Sequence, residues 1–302
     1  MNMMNWTGVL PAITTPFAED GSIDHGFLAK HANWMIEHGC TGIVGLGSLG
    51  EGGTLSDAER SAVLETLVKA VGSRVPVVAA IASLSTRGAV AQAEDAARRG
   101  CRGLMVLPPY VYRGPWPEMK AHFEAVMRAT PLSCMLYNNP IAYGTDVLPH
   151  QVAELAETSA NMHSIKESSA DVRRLTAIGA RLGSRLTLLV GVDDLIVEGV
   201  GAGATGWIAG LVNAFPAESV ALFELARAGK YAEAAALYQW FLPLLRMDVV
   251  PEFVHLIKLV QQQAGMGSER VRPPRLPLTG GLRECSLAVI AGALSNRPVL
   301  TR

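Results

Sequence analysis

"MHSIKESSAD", residues 162–171, carries a short apolar run that ends in a lysine, with a glutamate and two serines directly behind it. A run of this length, bounded by polar residues, reads as a buried strand. Lys166 then stands at that strand's C-terminal end. Seven more such runs occur along the chain: "GVLPAIT" (8–14), "GIVGL" (42–46), "PVVAAI" (76–81), "GLMVL" (103–107), "LSCMLY" (132–137), "LTLLVG" (186–191) and "TGWIAG" (205–210). Between them lie amphipathic stretches such as "SDAERSAVLETLVKAVG", "TRGAVAQAEDAARRG" and "WPEMKAHFEAVMRA", with apolar residues at three- and four-residue steps.

Continuous apolar strands alternating with helices indicate a parallel sheet covered by helices. Eight such units within about 225 residues match the size of a (β/α)8 TIM barrel. A doubly wound sheet is the competing α/β fold. Against it, no GxGxxG turn follows the first run, and the strands continue to eight, the number that closes a barrel. From about residue 215 the pattern turns wholly helical: "PAESVALFELARAGKYAEAAALYQWFLPLL", "VPEFVHLIKLVQQQAG" and "LRECSLAVIAGALS", with "GSERVRPPRLPLTG" as a proline-rich connector. The expected organisation is a catalytic barrel over 1–225 and a small C-terminal helical appendage over 226–302.

Composition narrows the function. The 302 residues are 49% hydrophobic and 18% charged, with 26 basic and 27 acidic residues and no long single-sign run. That balance offers no electrostatic footprint for nucleic acid or an anionic membrane, so the expected partner is a small molecule. The start, "MNMMNWTGVLPAITTPF", has no basic region followed by a 7–15-residue apolar core, and no segment reaches the ~18 apolar residues of a membrane span. A cytoplasmic protein is expected. Cys40, Cys101, Cys134 and Cys285 lie far apart without a CxxC or a metal-type pairing with histidine, and read as reduced, buried thiols with no metal.

In a barrel, chemistry sits at the C-terminal ends of the strands. Three features fall on that rim: Lys166, Tyr137 at the end of the fifth run in "LYNNP", and "GLGSLGEGG" (45–53) after the second. Each has an ordinary reading: a surface lysine paired with Glu167, a core aromatic, a tight turn that wants glycine. Their coincidence favours chemistry. Desolvation disfavours an ammonium, and a neutral amine is a nucleophile toward carbonyls.

With "LPAITTPF", "GLGSLGEGGTLSDAER", "YNNP", "IKESS" and "GATGWIAGLVN", the chain resembles the dihydrodipicolinate synthase and N-acetylneuraminate lyase family of class I, Schiff-base-forming lyases, over nearly all of residues 7–225. The resemblance implies a barrel with a helical appendage, no metal or organic cofactor, and a homotetramer built as a dimer of dimers. It implies that Lys166 forms an imine with a 2-oxo acid and that Tyr137 relays protons. It implies a Ser48 hydroxyl hydrogen-bonded to that tyrosine, and Gly191 and Ile208 lining the imine. Leu49 stands where the family usually has a threonine that helps hold the substrate carboxylate; the Ser48 and Leu49 amides remain as a small anion nest.

Two departures bear on substrate. The synthases carry an arginine shortly after "YNxP" that pairs with the carboxylate of aspartate semialdehyde, and here Ala142 takes that place beside Tyr143. Val111 takes the place of their interface-crossing tyrosine, between Tyr110 and Tyr112 and close to Arg113. With "YNNPIAYG" and "VDDL", the chain is most similar to Δ1-pyrroline-4-hydroxy-2-carboxylate deaminases of hydroxyproline breakdown, which make 2,5-dioxopentanoate and ammonia. Dihydrodipicolinate synthesis is one alternative. A pyruvate-dependent aldolase on a sugar-derived 2-oxo acid is another, in which Asp193 and Asp194 hold hydroxyls; their plain role is to cap the helix that follows. A 2-oxo acid binding protein without turnover is the alternative of a different class, disfavoured because lysine, tyrosine and loop serine are all present.

Overall fold

The computed structural model describes residues 4–300. Each apolar run forms a strand: β1 Gly8–Pro11, β2 Ile43–Gly45, β3 Val77–Ile81, β4 Gly103–Val106, β5 Ser133–Asn138, β6 Met162–Glu167, β7 Thr187–Val190 and β8 Gly206–Ala209. All pairings are parallel, in the order β1-β8-β7-β6-β5-β4-β3-β2. The Ile13 amide donates to Val44 O at 3.0 Å beside an Ala12–Val44 bridge, which brings β1 to β2 and closes the barrel. The strands lack polar alternation because both faces are covered: all five residues of β3 and all six of β5 are buried.

The helices are α1 His25–Glu37, α2 Asp57–Val71, α3 Thr86–Arg98, α4 Trp116–Arg128, the single turn α5 Pro140–Tyr143, α6 Pro149–Thr158, α7 Arg173–Leu182, α8 Ile196–Gly201, α9 Pro216–Arg227, α10 Tyr231–Leu245, α11 Phe253–Gln263 and α12 Gly280–Ser295. Local chemistry sets where they begin. Ser56 and Glu59 form a reciprocal capping box on α2, and Ser85 caps α3 through the Gly88 amide. The eighth barrel helix is α9, so the expected division at 225 falls in its last turn. Beyond it, α10 to α12 form the helical appendage.

Cys40, Cys101 and Cys134 are buried, as expected of inert thiols, and burial pushes Cys101 and Cys134 up to about 12. Cys285 departs from that expectation: it is exposed on α12. Among the described residues no helix is long and apolar enough to cross a membrane, and no three His, Cys, Asp or Glu side chains gather as a metal site requires.

Candidate active site

β6 lies between β5 and β7, and in the β5–β6 register Tyr137 stands opposite Lys166. Side chains alternate along a strand, so neighbouring Lys166 and Glu167 face opposite ways. Lys166 is 6% exposed, with its Nζ 4.0 Å from the centre of the Tyr137 ring. Glu167 instead accepts from Asn138 Nδ2 at 3.0 Å and the Ser169 amide at 2.7 Å, with burial raising its carboxyl. The surface-lysine reading, with Glu167 as ion-pair partner, therefore does not hold.

Ser48 departs from its expected contact. Its hydroxyl bonds the phenol of Tyr143, not that of Tyr137. The turn α5, held by Asn139 Oδ1 accepting from the Ala142 amide, carries the Tyr143 ring over the rim, where it meets Tyr137 edge-on at 5.6 Å and Tyr110 at 5.9 Å. Burial is the main cause that raises the Tyr143 phenol, with Tyr137 and Tyr110 adding to it. The Tyr137 hydroxyl accepts from Asn139 Nδ2 at 3.1 Å. Val111 points outward at 90% exposure and Tyr112 bonds Glu118, so neither enters this cluster.

The glycine-rich loop is held from far along the chain. Leu46 and Glu51 both adopt positive φ, and a Cβ on Gly52 would overlap the Leu46 carbonyl, which is why the turn needs glycine there. Glu51 and Lys258 are both buried and joined at 2.5 Å, and Glu51 also accepts from the Arg272 amide at 3.0 Å. α11 and the segment after it thus anchor the loop that presents Ser48 and Leu49. Leu49 is buried, and the Ser48 and Leu49 amides have no protein acceptor among the described residues, as an anion nest requires.

Gly191 follows β7, where a Cβ would overlap Ser168 Oγ and come within 2.5 Å of Lys166 Cε. Its lack of a side chain leaves the lysine its room. Ile208 is buried in β8, in register with Leu10. Asp193 neither caps the next helix nor offers a free oxygen to a ligand. It is fully buried and accepts from Trp207 Nε1 at 2.9 Å and the Gly210 and Leu211 amides at 3.0 and 2.7 Å. Burial pushes its carboxyl up to about 6, against the pull of those donors. Asp194 is turned away toward Arg246, at 3.8 Å.

Asp248 was invisible in the sequence. It ends a short turn after α10, and a Cβ on Gly210 would overlap its carboxylate, so the side chain covers the end of β8 beside Asp193. Burial raises its carboxyl well above the ordinary value, the Asp193 charge adds to this, and the Lys166 charge opposes it. No motif surrounds it. Ser168 had a signal: two residues past Lys166, it shares that lysine's side of the chain.

Residues 5–291 match the model of the Dihydrodipicolinate synthetase family. A 4-hydroxy-tetrahydrodipicolinate synthase from Prochlorococcus marinus is 34% identical over 89% of this chain and 88% of its own, and one from Moorella thermoacetica is 31% identical over 98% and 100%. Among solved structures, a dihydrodipicolinate synthase from Bacillus anthracis superposes with a TM-score of 0.91 at 28% identity, covering 96% of this chain and 99% of the other. A chloride-inhibited dihydrodipicolinate synthase from Acinetobacter baumannii, complexed with pyruvate, gives 0.91 at 27% over the same shares.

Proposed function

The chain belongs to the dihydrodipicolinate synthetase family of class I, Schiff-base-forming lyases, and on that premise we propose that Lys166 forms an imine with a 2-oxo acid or its cyclic imine equivalent, and that the reaction is the deamination of Δ1-pyrroline-4-hydroxy-2-carboxylate. The observation that carries the finer reading is the acid pair at the end of β8. Burial and the charge of the neighbouring Asp193 both favour the protonated form of Asp248, while the Asp193 carboxyl is held by Trp207 and the Gly210 and Leu211 amides. Such a wall supplies a proton to a departing hydroxyl. It offers no counter-charge to a second carboxylate, and Ala142 adds none.

Lys166 adds to C2 of the ring imine, and the ring nitrogen leaves as an amine, opening the ring. The iminium acidifies C3, Tyr137 relays the C3 proton to water by passing on its own proton as it accepts that one, and the hydroxyl at C4 departs as water with a proton from Asp248, which Asp248 regains from water. Tautomerisation moves unsaturation to C5 and its nitrogen. Hydrolysis there releases ammonia and hydrolysis at C2 frees Lys166, so the net change consumes one water. The Ser48 and Leu49 amides hold the substrate carboxylate. A cytoplasmic homotetramer, with the barrel and appendage divided near 225/226, belongs to the same reading.

The names of the relatives favour a second reading more directly: condensation of pyruvate with aspartate semialdehyde. One local observation agrees with it, since the Arg113 guanidinium lies where a Cβ on Gly144 would be, two residues from Ala142. The pyruvate bound by the Acinetobacter enzyme suits a 2-oxo acid as first substrate in this second reading. One assay separates the two. Supplied with hydroxy-pyrroline carboxylate, the protein should release ammonia together with 2,5-dioxopentanoate, followed through a coupled dehydrogenase. Efficient condensation of pyruvate with aspartate semialdehyde, and no ammonia, would establish the second reading instead.

A further inference from the structure

Ser168 is 2% exposed, and its Oγ has no hydrogen-bond partner. A buried hydroxyl is seldom left so, because it forfeits its bonds to water and gains none in return. Its position gives the reason. Through the absent side chain of Gly191, the Ser168 hydroxyl and the end of the Lys166 stem converge on one point, close enough for contact. The Gly191 amide donates to Glu167 O at 3.0 Å, which holds the end of β7 against both residues. β5 with Tyr137 and β7 with Gly191 flank β6, so Tyr137 and the Ser168 hydroxyl approach Lys166 from opposite sides.

We propose that Ser168 is a further catalytic residue, whose hydroxyl moves the proton between the Lys166 nitrogen and the group leaving the imine carbon. This rests on the reading of Lys166 as the imine-forming residue. When the neutral amine adds to a carbonyl, the adduct carries two protons on nitrogen and a negative charge on oxygen, and both protons must reach the oxygen before the C–O bond breaks and water departs, leaving the imine. A serine hydroxyl has one proton to give and two lone pairs to accept with. Ser168 therefore takes a proton from nitrogen as it gives its own to the oxygen, does so once on forming the carbinolamine and once on its breakdown, and ends unchanged. With a ring imine the same exchange delivers the proton to the ring nitrogen. Tyr137 is left free for C3. The hydroxyl is unpaired in the resting protein and finds its partners in the adduct.

The test is the rate of covalent labelling at Lys166 with saturating pyruvate and cyanoborohydride, read by peptide mass. Ser168→Ala should label about a hundredfold more slowly, with a melting temperature equal to or above that of the unmodified protein, since it deletes an unpaired buried hydroxyl. Ser168→Thr, which keeps the hydroxyl, should recover much of the rate. Ser164, equally buried and unpaired on β6 but two residues before Lys166, is the control, and Ser164→Ala should leave the rate unchanged. Labelling of Ser168→Ala within threefold of the unmodified protein overturns the proposal while leaving Lys166 intact as the imine former. So does a parallel loss of stability and labelling that Ser168→Thr does not repair. Absence of any adduct at Lys166 in the unmodified protein, with pyruvate and with hydroxy-pyrroline carboxylate alike, overturns the Lys166 reading, and this proposal with it.

Discussion

Glu51 and Lys258, 207 residues apart in the chain, form an ion pair in which neither side chain is more than 2% exposed. The pair ties α11 to the glycine-rich loop, and Lys258 also donates to Arg270 O at 2.7 Å. Removing one partner strands the other charge in the interior. Lys258→Met should therefore lower stability by about 3–5 kcal/mol in urea denaturation, and turnover should fall as Ser48 and Leu49 lose their support. A loss below about 1 kcal/mol would show that Glu51 is satisfied by Arg272 and its other neighbours alone.

Tyr137→Phe separates a proton carrier from a core aromatic. The ring and its edge-on packing with Tyr143 remain, and among the described residues the bond lost is that from Asn139 Nδ2. Stability should change by about 1 kcal/mol, while turnover falls by roughly two to four orders of magnitude. An unfolded variant, or full activity per folded molecule, would return Tyr137 to a packing role.

Asp248 predicts a pH dependence. Its folded-state value is raised well above 3.8, so the folded protein binds this proton more tightly than the unfolded chain. The resulting stability is fully present below about pH 4 and is lost as pH rises through the raised value. Burial sets that position first, the facing Asp193 and Asp194 charges add to it and Lys166 opposes it, while Asn cannot titrate. Asp248→Asn should thus gain stability relative to the unmodified protein as pH rises from about 4.5 to 8 in denaturant melts. Deamination should drop at every pH and lose the alkaline limb that deprotonation of Asp248 imposes. An unchanged alkaline limb would assign that limb to Asp193 or another group.

Gly191→Ala tests the space around the lysine. The new methyl would overlap Ser168 Oγ and crowd Lys166 Cε, both ends of side chains that can shift. The cost to stability should be about 1–3 kcal/mol, with borohydride labelling at Lys166 reduced far more than the fold. Normal labelling would mean that the lysine reaches its substrate from another rotamer.

The strands are legible in the sequence because a strand covered on both faces must be largely apolar, and the eight runs carry that mark, with few polar residues among them. Lys166, Tyr137 and Ser48 are legible for a related reason: a barrel gathers the C-terminal ends of its strands on one rim, so polar residues just past apolar runs become neighbours. The same geometry does not say which neighbour a side chain reaches. Ser48 bonds Tyr143 because α5 folds that phenol over the rim, a matter of turn conformation that no periodicity records. Asp193 is taken up by the backbone of β8, Asp248 arrives over Gly210 from beyond α10, and Lys258 reaches back to Glu51. Periodicity reports how one element is buried against whatever covers it. The partner of each polar group depends instead on how segments tens to hundreds of residues apart are packed, and desolvation at that meeting point sets its charge.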